Sequence, residues 1–164
     1  TYHATKLFGE SLVSAASNRG LDCISLRISA PIGLNMPSNR FLTVLLERAS
    51  KGQTIQLEGM GARRQDYVDT RDVALAVVQS LTPGTSGLFN IASGVSRSNL
   101  QLAELVNSVF GSRSEILIGG KITPEDTIHW DISIDKARRE MNWSPSYSLE
   151  DTVNHIKCLT TSYG

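Results

Sequence analysis

Residues 1–33 read TYHATKLFGESLVSAASNRGLDCISLRISAPIG, and the succession of patterns in this stretch decides the fold. Leu7, Leu12, Val13, Ala15 and Ala16 carry an apolar stripe that predicts a helix over Tyr2–Ala16, and Asn18-Arg19-Gly20 supplies its stop. Residues 21–28 (LDCISLRI) are short and apolar-rich, the pattern of a buried strand in a parallel sheet. Ser29-Ala30-Pro31-Ile32-Gly33 is expected to break that strand. Within the helix, Tyr2 and Lys6 stand four residues apart and so share one face. An ammonium beside a phenol favours the phenolate, which prepares it for proton transfer. Taken alone the pair is a weak signal, because a solvated lysine beside a half-buried tyrosine has the same spacing.

Beyond Gly33 helices and strands continue to alternate. A helix is predicted over Asn39–Lys51, with Phe41, Leu42, Leu45, Leu46 and Ala49 on one side, then a short strand over Thr54–Leu57. Asp66-Tyr67-Val68 reads as a brief extended piece, and Asp69 and Asp72 offer carboxylates to the start of a helix through Val73–Val78. Pro83-Gly84 turns the chain into a strand over Gly87–Ala92. Ser98-Asn99-Leu100-Gln101 is a capping box for the helix that Gly111 ends. A small strand at Glu115–Ile118 and helices at Ile134–Met141 and Leu149–Leu159 complete an α/β pattern. Asp66 and Asp72 are read as a turn residue and a helix-start carboxylate, and Trp143 and Pro145 as packing residues.

Composition narrows the functional classes. Sixteen basic residues balance sixteen acidic ones, so no global field draws in nucleic acid or an anionic membrane. No apolar run approaches membrane-spanning length. Cys23 and Cys158 have no paired spacing, as in a reduced cytoplasmic protein, and His3, His129 and His155 show no metal-ligand pattern, so no metal is expected. Thr1 is not a natural initiator, and a helix with a candidate catalytic pair seldom opens a protein; the chain is expected to be part of a longer one.

Five motifs in one order give the chain a family likeness. They are Tyr2-His3-Ala4-Thr5-Lys6 with Glu10; Leu26-Arg27 through Pro31 and Gly33; Gln65-Asp66-Tyr67-Val68 with Arg71-Asp72-Val73-Ala74; Gly87-Leu88-Phe89-Asn90-Ile91-Ala92-Ser93-Gly94; and Lys136-Ala137 followed by Met141-Asn142-Trp143-Ser144-Pro145. This series resembles the C-terminal half of an extended short-chain dehydrogenase/reductase of the NAD-dependent sugar epimerase/dehydratase family. The likeness departs where that family usually has asparagine at Ala30, tyrosine at Ile32 and arginine at Gln65, and where it has an arginine near Thr123–Asp126. Its glycine-rich phosphate loop and its catalytic serine or threonine have no counterpart in these residues.

The resemblance implies the C-terminal part of a Rossmann-like parallel sheet with a smaller α/β substrate-binding region. Residues 1–33 would end the dinucleotide-binding domain, and residues 34–164 would be mainly substrate-binding, interleaved with returning Rossmann elements. The glycine-rich N-terminal half would be missing. It implies Tyr2 as general acid/base, and Lys6, with Tyr2 and Pro31, as contacts of NAD or NADP. Arg63 and Arg64 would suit the diphosphate of a nucleotide-sugar, since guanidinium pairs bidentately with phosphate oxygens. The implied activity is that of a UDP-glucose 4-epimerase-like enzyme, homodimeric at full length, while a polypeptide of these residues alone is expected to be inactive. A dehydratase or reductase of the same family, or a non-catalytic binding fragment, are the alternatives.

Overall fold

The structure is a computed structural model of the 164-residue chain, described here over residues 1–161. Helix α1 (Tyr2–Ser17) leads through Gly20, in the left-handed conformation at φ 84°, to strand β1 (Ile24–Ile28). The strand starts three residues later than the apolar pattern predicts, and Leu21 is exposed. β1 pairs in parallel with β5 (Gly87–Ile91), from Ile24↔Gly87 to Ile28↔Ile91. The expected break after Ile28 shrinks to Ser29, whose N–H donates to the Ile91 carbonyl. The chain then resumes as β2 (Ala30–Ile32), although Pro31 cannot donate to a ladder.

β2 pairs in parallel with β4 (Arg64–Asp69), and β4 pairs antiparallel with β6 (Ser96–Ser98). The piece read as a brief extension at Asp66–Val68 is thus the centre of a three-stranded sheet. A third, two-stranded sheet joins β3 (Ile55–Leu57) to β7 (Ile116–Ile118), also in parallel. The helices are α2 (Phe41–Ser50), α3 (Thr70–Ser80), α4 (Asn99–Phe110), α5 (Asp135–Met141) and α6 (Leu149–Thr161). The capping box of α4 forms as predicted, and Gly111 ends that helix at φ 61°. No helix among the described residues is long and apolar enough to cross a membrane.

Two apolar cores result among the described residues. One packs Leu42, Leu45 and Leu46 of α2 with Ile55, Leu57, Leu102, Val106 and Val153; Phe41 points outward instead. The other packs Phe89 and Ile91 of β5 with Ala76, Ala137, Met141 and Trp143, so the packing role read for Trp143 holds. Helix α1 joins neither core. Its half-buried face is Gly9, Glu10, Val13, Ala16 and Ser17, while Leu7, Phe8 and Leu12 stay exposed. The sheet edge of β1 away from β5 has no neighbour among the described strands, so β1 is less buried than its composition predicts.

Asp66 and Asp72 do more than their neighbourhoods in sequence foretell. The buried Asp66 carboxylate accepts from the Ser93 and Gly94 N–H groups at 2.7 and 2.8 Å. Asp72 lies in the first turn of α3 as expected, but its carboxylate accepts from Ser146 and Tyr147 N–H, more than 70 residues away. Asp126, on the 3₁₀ turn Pro124–Thr127, accepts from the N–H groups of Met60, Ala62 and Thr123. Those backbone bonds, led by that from Thr123, hold its carboxyl down at about 2. A folded-state value below the unfolded one stabilises the fold above the ordinary carboxylate range and is lost as pH falls towards 2. The melting-temperature gap between the native chain and Asp126→Asn is therefore expected to be widest near neutral pH and to close between about pH 4 and pH 2. A gap that stays constant over that range would show that Asp126 holds the turn by shape alone.

Candidate active site

Helix α1 holds the first candidate pair. Lys6 Nζ lies 5.3 Å from the centroid of the Tyr2 ring, and the His3 ring meets Tyr2 edge-on at 5.8 Å. Tyr2 is 69% exposed, so its phenol is open to a ligand. Glu10, one turn beyond Lys6, forms a fork with Arg27 of β1: Nε donates to Oε1 at 2.7 Å and the terminal nitrogen to Oε2 at 2.6 Å. The Arg27 bond pulls the Glu10 carboxyl below its usual range and raises the Arg27 guanidinium in return. This pair ties the helix to the strand. Nothing in the sequence announces it, because its ends lie 17 positions apart and the Arg27 side chain stays half-exposed.

The other candidates sit on the second sheet. Pro31 is exposed in β2, in register with Val68. Gly33 follows β2, and a Cβ there would meet the Thr70 hydroxyl oxygen at 2.2 Å, so any larger residue requires the Thr70 side chain to move. Arg64 spends its guanidinium internally: Nε donates to Ser96 Oγ at 3.0 Å and a terminal nitrogen to the Ser96 carbonyl at 2.8 Å. Ser96 Oγ in turn donates to Asp131. Arg63 is half-buried and its Nε is buried without a hydrogen-bond partner. It faces Tyr67, whose phenol burial pushes up and the Arg63 charge pulls partly back. Among the described residues, no hydrogen bond or ion pair links Tyr2 or Lys6 to Pro31, Arg63 or Arg64.

Between the first two sheets runs a cleft of about 480 Å³, lined by Arg27, Ser29, Gln65, Asn90, Trp130 and Asp131 among others. Asp66 borders it, and burial raises its carboxyl despite the bonds from Ser93 and Gly94. Its polar walls are largely committed: Asn90 donates to the Ser133 carbonyl and Arg27 to Glu10. Sequence reading assigned nothing to Trp130 or Asp131. No group of acidic, histidine or cysteine side chains among the described residues has the arrangement of a metal site.

Comparison with known proteins gives these features a context. The dTDP-L-rhamnose 4-epimerase of Burkholderia thailandensis is 27% identical over 163 residues, which are 95% of this chain and 45% of that protein. The Bordetella bronchiseptica enzyme WbmF, solved in complex with NADH, superposes with a TM-score of 0.83 at 27% identity, over 98% of this chain and 52% of that one. The UDP-glucose 4-epimerase of Thermotoga maritima, solved with UDP-glucose, shares the fold with a TM-score of 0.83 at 22% identity, over 99% of this chain and 52% of that one. The chain spans about half the length of the curated relatives it matches. The fold is thus the α/β, Rossmann-like one that the motif order implies. The model of the NAD dependent epimerase/dehydratase family matches residues 1–92, more than half of the sequence, and the chain belongs to that family.

Proposed function

We propose that this chain supplies the catalytic helix and the substrate-binding region of a cytoplasmic, homodimeric NAD(P)-dependent nucleotide-sugar epimerase, with 4-epimerisation as its reaction. In this reading residues 1–33 end the dinucleotide-binding domain and residues 34–164 are mainly substrate-binding. The observation that carries it is the Tyr2–Lys6 geometry, a phenol and an ammonium on one open helix face with Lys6 Nζ 5.3 Å from the ring. Tyr2 moves the proton to or from a sugar hydroxyl. Lys6 holds a ribose hydroxyl of the dinucleotide.

The donor set fits a nicotinamide ribose, for an exposed phenol and an ammonium pair well with vicinal hydroxyls. Pro31 would flank the ring. When bound, the dinucleotide accepts a hydride from the sugar carbon and returns it. For the sugar diphosphate, Arg63 is the better-placed of the two arginines, because Arg64 is already bonded to Ser96 while Arg63 Nε has no partner. The test is an assay of the full-length protein carrying this chain against UDP- and dTDP-sugars. Turnover with retained dinucleotide is expected; neither turnover nor bound dinucleotide across that panel would sink the reading.

The same reading makes a prediction for residues 1–164 on their own. The dinucleotide's pyrophosphate needs backbone donors at a helix N-terminus after a glycine-rich turn. Lys6 cannot replace them. Such a polypeptide is expected to show no NAD binding at micromolar concentration by calorimetry. It is also expected to associate through the open β1 edge and the exposed Leu7, Phe8 and Leu12. Micromolar binding to a monomer would mean that the cofactor site has been misplaced.

A further inference from the structure

We propose that Gln65 is a specificity-determining residue whose free carboxamide selects a neutral sugar ring over one that carries a carboxylate; this rests on the nucleotide-sugar reading. Gln65 is half-buried and lines the cleft between the first two sheets. Among the described residues its carboxamide has no hydrogen-bond partner, and it is open to the cleft. Strand alternation decides what stands beside it. Arg64 and Asp66 turn to one face of β4, where they bond Ser96 and Ser93. Gln65 and Tyr67 turn to the other, and Arg63, whose charge acts on the Tyr67 phenol, shares that side. Arg63 and Gln65 are therefore one strand repeat apart, about 7 Å. A sugar diphosphate has the same layout, an anion joined directly to a polyol ring. With the diphosphate at Arg63, the ring falls at Gln65 in the cleft. Space for it exists at the next step, where Ala30 stands opposite Tyr67 with only a methyl group.

The charges around the cleft decide which ring is accepted. Arg27 is the cation among its lining residues, and its fork is spent on Glu10. Two carboxylates border the same space. Asp66 is bonded to the Ser93 and Gly94 N–H groups, whereas Asp131 is exposed and accepts from the Ser96 hydroxyl. A sugar carboxylate placed here meets a like charge and no uncommitted cation among the lining residues, so it loses water without gaining a partner. A neutral ring has no such cost. The Gln65 carboxamide brings two donors and an acceptor without charge, which suits hydroxyls that both donate and accept. Arginine, which the family usually has at this position, brings donors alone and a fixed positive charge.

The test uses full-length protein and two substrates that differ only at C6, the glucose and glucuronate esters of whichever nucleotide the protein turns over. Native protein is expected to favour the glucose ester in kcat/KM by about tenfold or more. Gln65→Arg supplies the missing cation and is expected to close that gap to within about twofold, by a gain on the glucuronate ester and a loss on the glucose ester. Gln65→Ala is expected to raise KM for the glucose ester about tenfold with little change in kcat. Its melting temperature should match the native one, because the amide holds nothing within the protein. Gln65→Glu keeps the size but adds a negative charge and must widen the gap, which keeps the test decisive if Gln65→Arg does not fold. Equal use of both esters by native protein, or a ratio unmoved by Gln65→Arg and Gln65→Glu, overturns the inference. So does a Gln65→Ala variant that loses stability and handles the glucose ester with native KM. If no nucleotide-sugar is turned over and no dinucleotide is bound, the nucleotide-sugar reading fails and this inference falls with it. Turnover without discrimination at C6 sinks this inference alone.

Discussion

Tyr2→Phe is expected to lower turnover of the full-length enzyme by on the order of a thousandfold or more while leaving the fold intact. The substitution removes one oxygen from a ring that is 69% exposed and packs into neither core, so no cavity or orphaned polar group results. What it removes is the oxygen proposed to accept and return the sugar hydroxyl proton. The ring itself stays, and with it the surface that faces Lys6. Lys6→Ala should act differently, lowering the rate and also weakening dinucleotide binding, because the ammonium serves both the phenol and the ribose. Matched melting temperatures for native and Tyr2→Phe protein, alongside the rate loss, are the expected result. A Tyr2→Phe variant at near-native rate would refute the assignment.

Local patterns in the sequence translated into structure wherever the determining forces were local. The α4 capping box, the Gly111 and Gly20 stops and the Asp69 cap of α3 each depend on residues within one turn, and each forms as read. The Tyr2–Lys6 proximity follows from helix periodicity alone. Long-range pairing was not legible in this way. β6 has only three residues, Ser96-Arg97-Ser98, with no apolar alternation, and it exists because Asp66, Gln65 and Arg64 of β4 offer it a ladder. Pro31 looked like a strand stop, yet β2 tolerates it as an edge strand bonded to β4. The apolar stripe on α1 was read correctly as a stripe, but among the described residues nothing covers Leu7, Phe8 and Leu12. In the site, adjacent arginines looked equivalent in sequence and differ in space, since Arg64 reaches Ser96 across the sheet and Arg63 faces Tyr67. The Glu10–Arg27 fork spans 17 positions, and only the packing of α1 on β1 brings its ends together.

Asp72→Ala is the substitution with the largest expected effect on stability. Asp72 is fully buried in the first turn of α3, and its two oxygens accept from the N–H groups of Ser146 and Tyr147 at 2.9 and 3.1 Å. Its own carbonyl accepts from Trp143 Nε1 at 3.1 Å, so one residue holds the segment from Trp143 to Tyr147 at three points. Alanine leaves two backbone donors without an acceptor and removes a negative charge from a helix N-terminus, where it is favourable. An unsatisfied buried donor costs about 1 to 3 kcal/mol, but Ser146 is exposed and Tyr147 half-buried, so water takes up part of what the two donors lose and the sum is about 2 to 3 kcal/mol. Set against a total of about 5 to 15 kcal/mol for a typical domain, that is a sizeable fraction of the whole. Asp72→Asn keeps one acceptor oxygen but turns a donor towards the second N–H, and it should fall between native and alanine. Urea unfolding with an unchanged slope and a midpoint ordered native, Asn, Ala is the expected observation. The competing anchor is Trp143, which is buried in the second core together with Met141 and Phe89. If burial of that indole alone fixes the segment, Asp72→Ala will lose less than about 1 kcal/mol, and the carboxylate will have been a passenger at the helix start.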